Sequence, residues 1–153
     1  MQREDPNYGS PREPGSPVGG PIGAPSRISA RDERTWSMLA HLSVLLSLVT
    51  GIGGPVAALV IWLFYRDKSQ RVAFHALQSL WYQVAWAVIL FVGWGVTFIL
   101  MFILIGFLLA PIMAIISLVP FVHQCYAAYK VNQGIDYRYP IIADMIEGGH
   151  RVA

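Results

Sequence analysis

A long uncharged segment dominates the pattern of apolar and polar positions in this chain. No Asp, Glu, Lys or Arg occurs from residue 72 to residue 129, a run of 58 residues. A bilayer core about 30 Å thick needs roughly 20 helical residues for one crossing. At about 1.5 Å per residue, the run supplies about 87 Å of helix, enough for two crossings and a turn. The pattern therefore predicts an integral membrane protein.

A second apolar stretch, residues 36–65, is interrupted by the sequence Gly51-Ile52-Gly53-Gly54-Pro55. Glycine and proline punctuate helices, so the stretch is either one broken crossing or two short helices, at about 35–50 and 55–65, that form a hairpin. Cytoplasmic loops are enriched in Lys and Arg, and the hairpin places every basic cluster on one side of the membrane. These clusters are Arg27, Arg31 and Arg34; Arg66, Lys68 and Arg71; and Lys130 and Arg138. The charge pattern favours the hairpin, although its second limb, about 17 Å long, is too short for a full crossing.

The remaining elements follow from the same reasoning. We expect a third helix at about 71–100, an outer turn near Gly106 to Pro111, and a fourth helix at about 111–131 that ends at Asn132-Gln133-Gly134. The fold class is thus an all-α membrane protein, a four-helix bundle whose first two helices form a short hairpin. Three parts are expected along the chain: a disordered Pro/Gly-rich tail at 1–30, a helical transmembrane domain at 31–132, and an interfacial tail at 133–153.

Location follows from these segments. The first thirty residues contain no apolar stretch, so no signal peptide is visible and the first hydrophobic segment is expected to direct insertion. We expect a multi-pass protein of the bacterial plasma membrane with both termini in the cytoplasm. The expected partners are the lipid bilayer and either further copies of the chain or other membrane proteins.

The most unusual polar pattern is the stripe Arg71, His75, Gln78 and Tyr82. Spacings of four, three and four place these residues on one face of the third helix. Polar side chains in a membrane helix face protein or water, because lipid cannot hydrogen-bond to them. They either fix the bundle geometry through hydrogen bonds or line a hydrophilic path. Together with His41 of the first helix, they are the candidate functional residues.

Two histidines outside the stripe, His41 and His123, are interpreted separately, for pairing and for a structural role. His41 could pair with His75 across the bundle, which would create a contact sensitive to protonation. His123, near Gln124 on the last helix, is interpreted as a structural histidine.

Catalytic and ligand-binding signatures are not found in the sequence. It contains no metalloprotease, nucleophile-elbow, P-loop or dinucleotide motif, and no carboxylate pair lies within the apolar segments. The single Cys125 excludes a cysteine-based zinc site. No basic run interleaved with aromatic residues suggests nucleic acid. We therefore expect no enzyme, no catalytic residue, no cofactor, no metal and no nucleic-acid partner.

Four segments, taken in order, resemble the motifs of the Tic-twenty-like group, a large bacterial family of small membrane proteins of unknown function. They are Glu33 to Ser43; Gly54-Pro55 with Trp62-Leu63 and Arg66-Asp67; Phe74-His75-Ala76 with Gln78 and Gln83; and Lys130 to Gly134 with Tyr137 to Pro140. The group is similar to a channel-associated subunit of the chloroplast inner-envelope import machinery. This resemblance, over about residues 33–146, implies four helices with both ends on one side, and it implies no reaction.

Two functions fit these expectations best. The first is a non-catalytic scaffold or assembly subunit, suggested by small residues within helices and by short helices that need cover. The alternative is a small transporter or channel with a polar path near Arg71, His75, Gln78 and Tyr82. A membrane enzyme acting on lipid has no support beyond its location.

Overall fold

The computed structural model describes residues 28–150, and these residues form helices without strands. The helices are α1 (Ala30–Leu42), α2 (Val44–Thr50), α3 (Gly53–Tyr65), α4 (Gln70–Met101), α5 (Ile105–Asn132) and α6 (Pro140–His150). The all-α prediction is confirmed. The expected four-helix bundle holds only in part, because the first expected helix is divided at Ser43 and a sixth helix follows the bundle. The tail expected to be disordered lies, up to residue 27, outside the described residues.

The segment from α1 to α3 folds back on itself. Gly51, at φ 77°, adopts the left-handed conformation that favours glycine and turns the chain between α2 and α3. The hydroxyl groups of Thr50 and Ser47 accept hydrogen bonds from the first two N–H groups of α3, at 2.8 and 3.1 Å. At the other end the rings of Trp36 and Tyr65 lie 4.9 Å apart. The two ends of the segment are therefore side by side, in the arrangement that the basic clusters favoured.

The helices α4 and α5 form a longer antiparallel pair. Ser69 caps α4 by accepting a hydrogen bond from the Val72 N–H at 3.3 Å. The turn to α5 lies at residues 102–104, where Leu104 has φ 67°. The expected turn near Gly106 to Pro111 was wrong, since both residues lie inside α5. Gly106 packs directly on backbone atoms of α4, so α5 can begin earlier than the proline suggested.

Two of the helices have the length and composition of membrane spans. These are α4, with 32 residues, and α5, with 28, whereas the apolar α3 has only 13. Their lengths correspond to about 48 Å and 42 Å of helix, more than one bilayer core requires. Their outer surfaces expose large apolar side chains such as Phe91 and Phe107.

The molecule has two regions of different character. We define the base as α1 to α3, residues 70–83 of α4 and residues 120–139, and the distal hairpin as residues 84–119. In the base, α1 packs against both α4 and α5, and α3 packs against α4. The distal hairpin consists of α4 and α5 alone. Nearly all of the buried polar side chains belong to the base.

The segment after α5 does not follow the expected path. Gly134, at φ 85°, ends α5 in the left-handed conformation that Asn132-Gln133-Gly134 predicted. Residues 133–153 were expected along the membrane surface. Residues 135–139, which we name the strap, instead run across the base, and Tyr139 is only 3% exposed. The strap enters the bundle because its polar side chains find partners there.

Candidate functional site

The polar stripe of α4 faces the interior of the base. His75 and Gln78 are fully buried and Tyr82 is nearly so, while Arg71 is partly exposed at the edge. His41 of α1, also fully buried, lies opposite them. The structure therefore brings together all five residues that the sequence singled out. Their common neighbour is the strap.

The strap binds the edge of the stripe through Asp136. Its carboxylate accepts hydrogen bonds from Arg71 Nε at 2.7 Å and from His75 Nε2 at 3.2 Å. Burial by itself would raise the pKa of Asp136, but the hydrogen bond from His75 and the charge of Arg71 outweigh burial, and the pKa is lowered. Asp136 is therefore an ionised group that ties the strap to α4.

A chain of hydrogen bonds continues from Asp136 into the core. His75 Nδ1 lies 3.3 Å from His41 Nε2, and His41 Nδ1 lies 3.4 Å from the Tyr139 hydroxyl. An ionised carboxylate can only accept, so His75 donates from Nε2 and its Nδ1 must accept from His41 Nε2–H. His41 Nδ1 then accepts from the Tyr139 hydroxyl. In this order each group of the chain, from Asp136 to the Tyr139 hydroxyl, has a hydrogen-bond partner while both histidines are neutral. The contact of His41 with His75 that the sequence suggested thus lies in the core.

A second set of contacts fixes the middle of the strap. Gln78 Nε2 donates to the backbone carbonyl of Tyr137 at 2.9 Å. His123 lies between two hydroxyl groups, with Nδ1 2.7 Å from Tyr82 and Nε2 2.6 Å from Tyr137. The rings of Tyr82 and Tyr139 stack at 4.3 Å. Burial raises the pKa of both strap tyrosines, so their hydroxyl groups remain protonated donors.

Deeper in the base, a cluster of amide and hydroxyl groups joins α1, α4 and α5. Gln83 Nε2 donates to Ser43 Oγ and to Ser79 Oγ, each at 3.0 Å. Ser79 Oγ lies 2.9 Å from Gln124 Oε1 and 2.7 Å from the Ala40 carbonyl. Three buried amide atoms find no partner in the part of the chain that the structure describes: Gln78 Oε1, Gln83 Oε1 and Gln124 Nε2. The cluster thus holds the helices together while keeping some unused hydrogen-bonding capacity.

Close packing around this cluster depends on Gly54, the second residue of α3. A Cβ atom at Gly54 would collide with the side chains of Gln83 and Ser47 and lie 2.9 Å from the Ser43 carbonyl. Glycine therefore lets α3 approach the amide cluster closely. The two glycines of α4 differ from Gly54. Gly93 faces the flexible Met113, and Gly95 faces open space.

The base and both long helices fall within a match to one protein family. The model of the magnetosome magnetite crystal formation proteins, MamF/MmsF, matches residues 32–146. The chain belongs to the MamF/MmsF family. No curated protein and no solved structure matches the chain. The resemblance to the Tic-twenty-like group was wrong as a family assignment, because the motifs that suggested it lie within the MamF/MmsF match.

Membership of the MamF/MmsF family, together with two long apolar helices, gives the chain a membrane location in contact with the lipid bilayer. The family is one of magnetosome membrane proteins involved in magnetite crystal formation. Its description specifies no molecular activity.

Sequence reasoning missed half of that network. Asp136, Tyr137 and Tyr139 were assigned to a surface tail, and Gln124 was mentioned only as a neighbour of His123. One signal was available for Asp136. It is an acidic residue two positions after the left-handed turn at Gly134, at the end of the bundle where Arg71 needs a counter-charge.

In this MamF/MmsF family member, the polar groups of the candidate residues are used mainly for hydrogen bonds within the protein. Most polar atoms of the candidate residues bond to one another or to the strap, and the groups around them are buried. Among the side chains that the structure describes, no three His, Cys, Asp or Glu residues gather as a metal site would require. Chemically, the network can hold helices in register and can exchange protons along the His75–His41–Tyr139 chain.

Proposed function

We propose that the chain is a non-catalytic assembly component of the magnetosome membrane, which contributes to magnetite crystal formation by packing with other membrane proteins or with further copies of itself. The observation that carries the proposal is the internal use of the candidate residues. Arg71, His75 and Gln78 are bonded to the strap, and His41 and Tyr82 pack against Tyr139. A protein whose polar groups are committed to its own fold presents mainly helix surfaces to its surroundings.

The proposed topology is multi-pass with both termini in the cytoplasm. It rests on the absence of charged residues from the distal hairpin and on the hairpin formed by α1 to α3, whose ends meet at the base. The distal hairpin then crosses the bilayer and its turn, at residues 102–104, reaches the opposite side. Reporter fusions at Lys68 and at Ile103 test this directly. Opposite sides are expected, with Lys68 cytoplasmic; the same side for both would contradict the proposal.

Assembly is tested by native mass spectrometry of the chain released from nanodiscs made from the host membrane. Oligomers or complexes with co-purifying membrane proteins are expected. Bare monomer under all conditions, with no partner captured by an amine-reactive cross-linker, would reject the proposal.

A second function, a small transporter or channel, has one specific observation in its favour. The three amide atoms of Gln78, Gln83 and Gln124 that lack partners among the described residues lie in the base, and unpartnered buried amides are groups that water or a polar solute would bind. Proteoliposome flux of small cations and protons separates the two functions. Flux above that of empty vesicles, lost on substitution of Gln83→Leu, would favour the transporter.

A further inference from the structure

The charged side chains of the two long helices are confined to the base. No Asp, Glu, Lys or Arg occurs between Arg71 and Lys130. Basic residues are instead distributed around the edge of the base, on α1, after α3, at the end of α5 and in the strap: Arg31, Arg34, Arg66, Lys68, Lys130 and Arg138. The base therefore presents a basic edge at the point where the apolar helix surfaces stop.

Three of these cations lie over aromatic rings. Arg66 Cζ is 5.6 Å from the centre of the Trp62 ring. Lys68 Nζ is 5.6 Å from the centre of the Tyr65 ring. On α5, Lys130 Nζ lies 5.5 Å from the centre of the Tyr126 ring. Trp and Tyr rings prefer the headgroup level of a membrane, so each pair holds a positive charge at that level.

Acidic side chains of the protein leave hydrogen-bond donors on all three cations, since Asp67 lies beside one nitrogen of the Arg66 guanidinium, whose side chain is 51% exposed. Asp67 lies beside Arg66, at 3.4 Å, and Asp136 is bound to Arg71 and His75. Among the residues that the structure describes, no carboxylate lies within ion-pair distance of Lys68 or Lys130. Both ammonium groups keep donors for an external oxygen, and a lipid phosphate is an acceptor found at this depth.

We propose that the cation–aromatic pairs Trp62–Arg66, Tyr65–Lys68 and Tyr126–Lys130 form a binding site for anionic phospholipid headgroups around the base. The lipid phosphate contacts the cation, and the aromatic ring beneath holds that cation at the headgroup level. The pairs belong to α3, with the turn that follows it, and to α5. Both helices pack on α4, so the site surrounds more than one flank of the bundle. This inference rests on the proposed topology, which puts the base at one surface of the membrane, and does not depend on the proposed assembly role.

The experiment measures lipid retained by the purified chain. The protein is released from nanodiscs that contain equal amounts of phosphatidylglycerol and phosphatidylcholine, and the ratio of the two retained lipids is determined by native mass spectrometry. Wild type is expected to enrich phosphatidylglycerol several-fold. A basic residue held at an anionic surface contributes up to roughly fivefold to attraction, so the loss of all three paired cations in R66Q/K68Q/K130Q is large enough to bring the several-fold ratio close to one.

A charge-matched control tests the role of the aromatic rings. R31Q/R34Q/R138Q removes the same formal charge from cations that belong to none of the three pairs, and it is expected to retain most of the enrichment. Equal loss in both triple variants, or an unenriched wild type, would overturn the proposal. Replacing chloride by inorganic phosphate at equal ionic strength should leave the ratio unchanged, and a ratio that collapses in phosphate would show a simple anion site instead.

Wild type alone provides a further measurement that does not depend on variant folding. Because Arg66 and Lys68 are exposed and Lys130 is partly exposed, enrichment should fall as ionic strength rises. Enrichment that does not change with salt would contradict headgroup binding by these pairs.

Discussion

The two halves of α4 show how differently one helix is used in the base and in the distal hairpin. Seven of its eight buried residues precede residue 84, and only Thr97 lies beyond. The first half buries a histidine, two glutamines and a serine, whereas the second half exposes Phe91, Val92 and Phe98 to its surroundings. The first half is held by specific polar bonds and the second by apolar contact with α5 and lipid.

This difference separates the two tasks of a membrane protein. The distal hairpin presents an apolar surface that lipid or another apolar helix can cover, so its sequence has only to be apolar and long enough. The base combines short helices with buried polar groups, and each such group needs a partner in place. Substitutions should therefore have large effects in the base and small effects in the distal hairpin.

The largest difference in stability is expected between substitutions at two glycines, one in the base and one in the distal hairpin. Gly54→Ala forces a Cβ against a backbone carbonyl and the amide cluster, so we expect a loss of about 3 kcal/mol in the free energy of unfolding. Gly95→Ala adds a methyl group in open space and should change stability by less than about 1 kcal/mol. Unfolding by denaturing detergent in mixed micelles measures both. Equal losses would abolish the distinction between the two regions.

The next largest effect concerns the strap. Asp136→Asn removes the charge that pairs with Arg71 and His75, and because the pair is partly exposed we expect a loss of about 2 kcal/mol, below that of a fully buried pair. Hydrogen exchange of residues 135–139 should accelerate. Asp144→Asn, at an exposed ion pair with Arg138, is the control and should stay within about 0.5 kcal/mol.

Asp136 also makes the stability of the strap depend on pH, and the direction of its pKa shift fixes the sign. The folded-state pKa of Asp136 is lowered. Its contribution to the free energy of unfolding is therefore complete above the unfolded-state pKa of about 3.9, and it is lost as the pH falls through the lower folded-state pKa. Strap exchange in wild type should therefore increase below about pH 4, whereas the Asp136→Asn variant should lack this step. An identical acid profile in both would rule out the assigned role of the carboxylate.

A smaller effect is expected from single hydroxyl groups in the strap. Tyr139→Phe keeps the stacking on Tyr82 but removes the hydrogen bond to His41, which should cost about 1 kcal/mol. Tyr129→Phe, on the exposed face of α5, should have no measurable effect. Thermal unfolding in detergent compares the two variants, and similar values would mean that the His75–His41–Tyr139 chain does not stabilise the base.

The smallest effect belongs to the distal hairpin. Trp94 Nε1 donates to Ser117 Oγ at 3.1 Å between α4 and α5. Ser117→Ala should cost only about 0.5 kcal/mol, the usual range for a polar contact between membrane helices. A loss as large as that at Asp136 would show that the distal hairpin also relies on specific bonds. Unfolding in bicelles, where lipid covers the hairpin, is the appropriate measurement.

The elements that sequence could predict were those with a strong local signal. Helix α4, the Gly51 turn and the Gly134 cap follow from apolar length and from glycine and proline positions. The strap could not be predicted, because Asp136, Tyr137 and Tyr139 are ordinary tail residues until the ends of α1, α4 and α5 come together. Helical periodicity identified one face, at His75 and Gln78, but not the segment that covers it. The division at Ser43 and the earlier start of α5 at Ile105 likewise depend on packing between helices.

The central claim is that the polar residues of the base bond mainly to one another and leave no water-filled path between them. Ser79 is fully buried in that network, and Ser79→Cys is a nearly isosteric probe on a Cys125→Ser background. In sealed vesicles, a membrane-impermeant maleimide is applied from each side in turn, with Lys68→Cys as the exposed control. The thiol of the Ser79→Cys variant should remain unlabelled from both sides, while the thiol of the Lys68→Cys variant reacts fully from one. Labelling of the Ser79→Cys variant from either side would show a water-filled path through the base and would contradict the account.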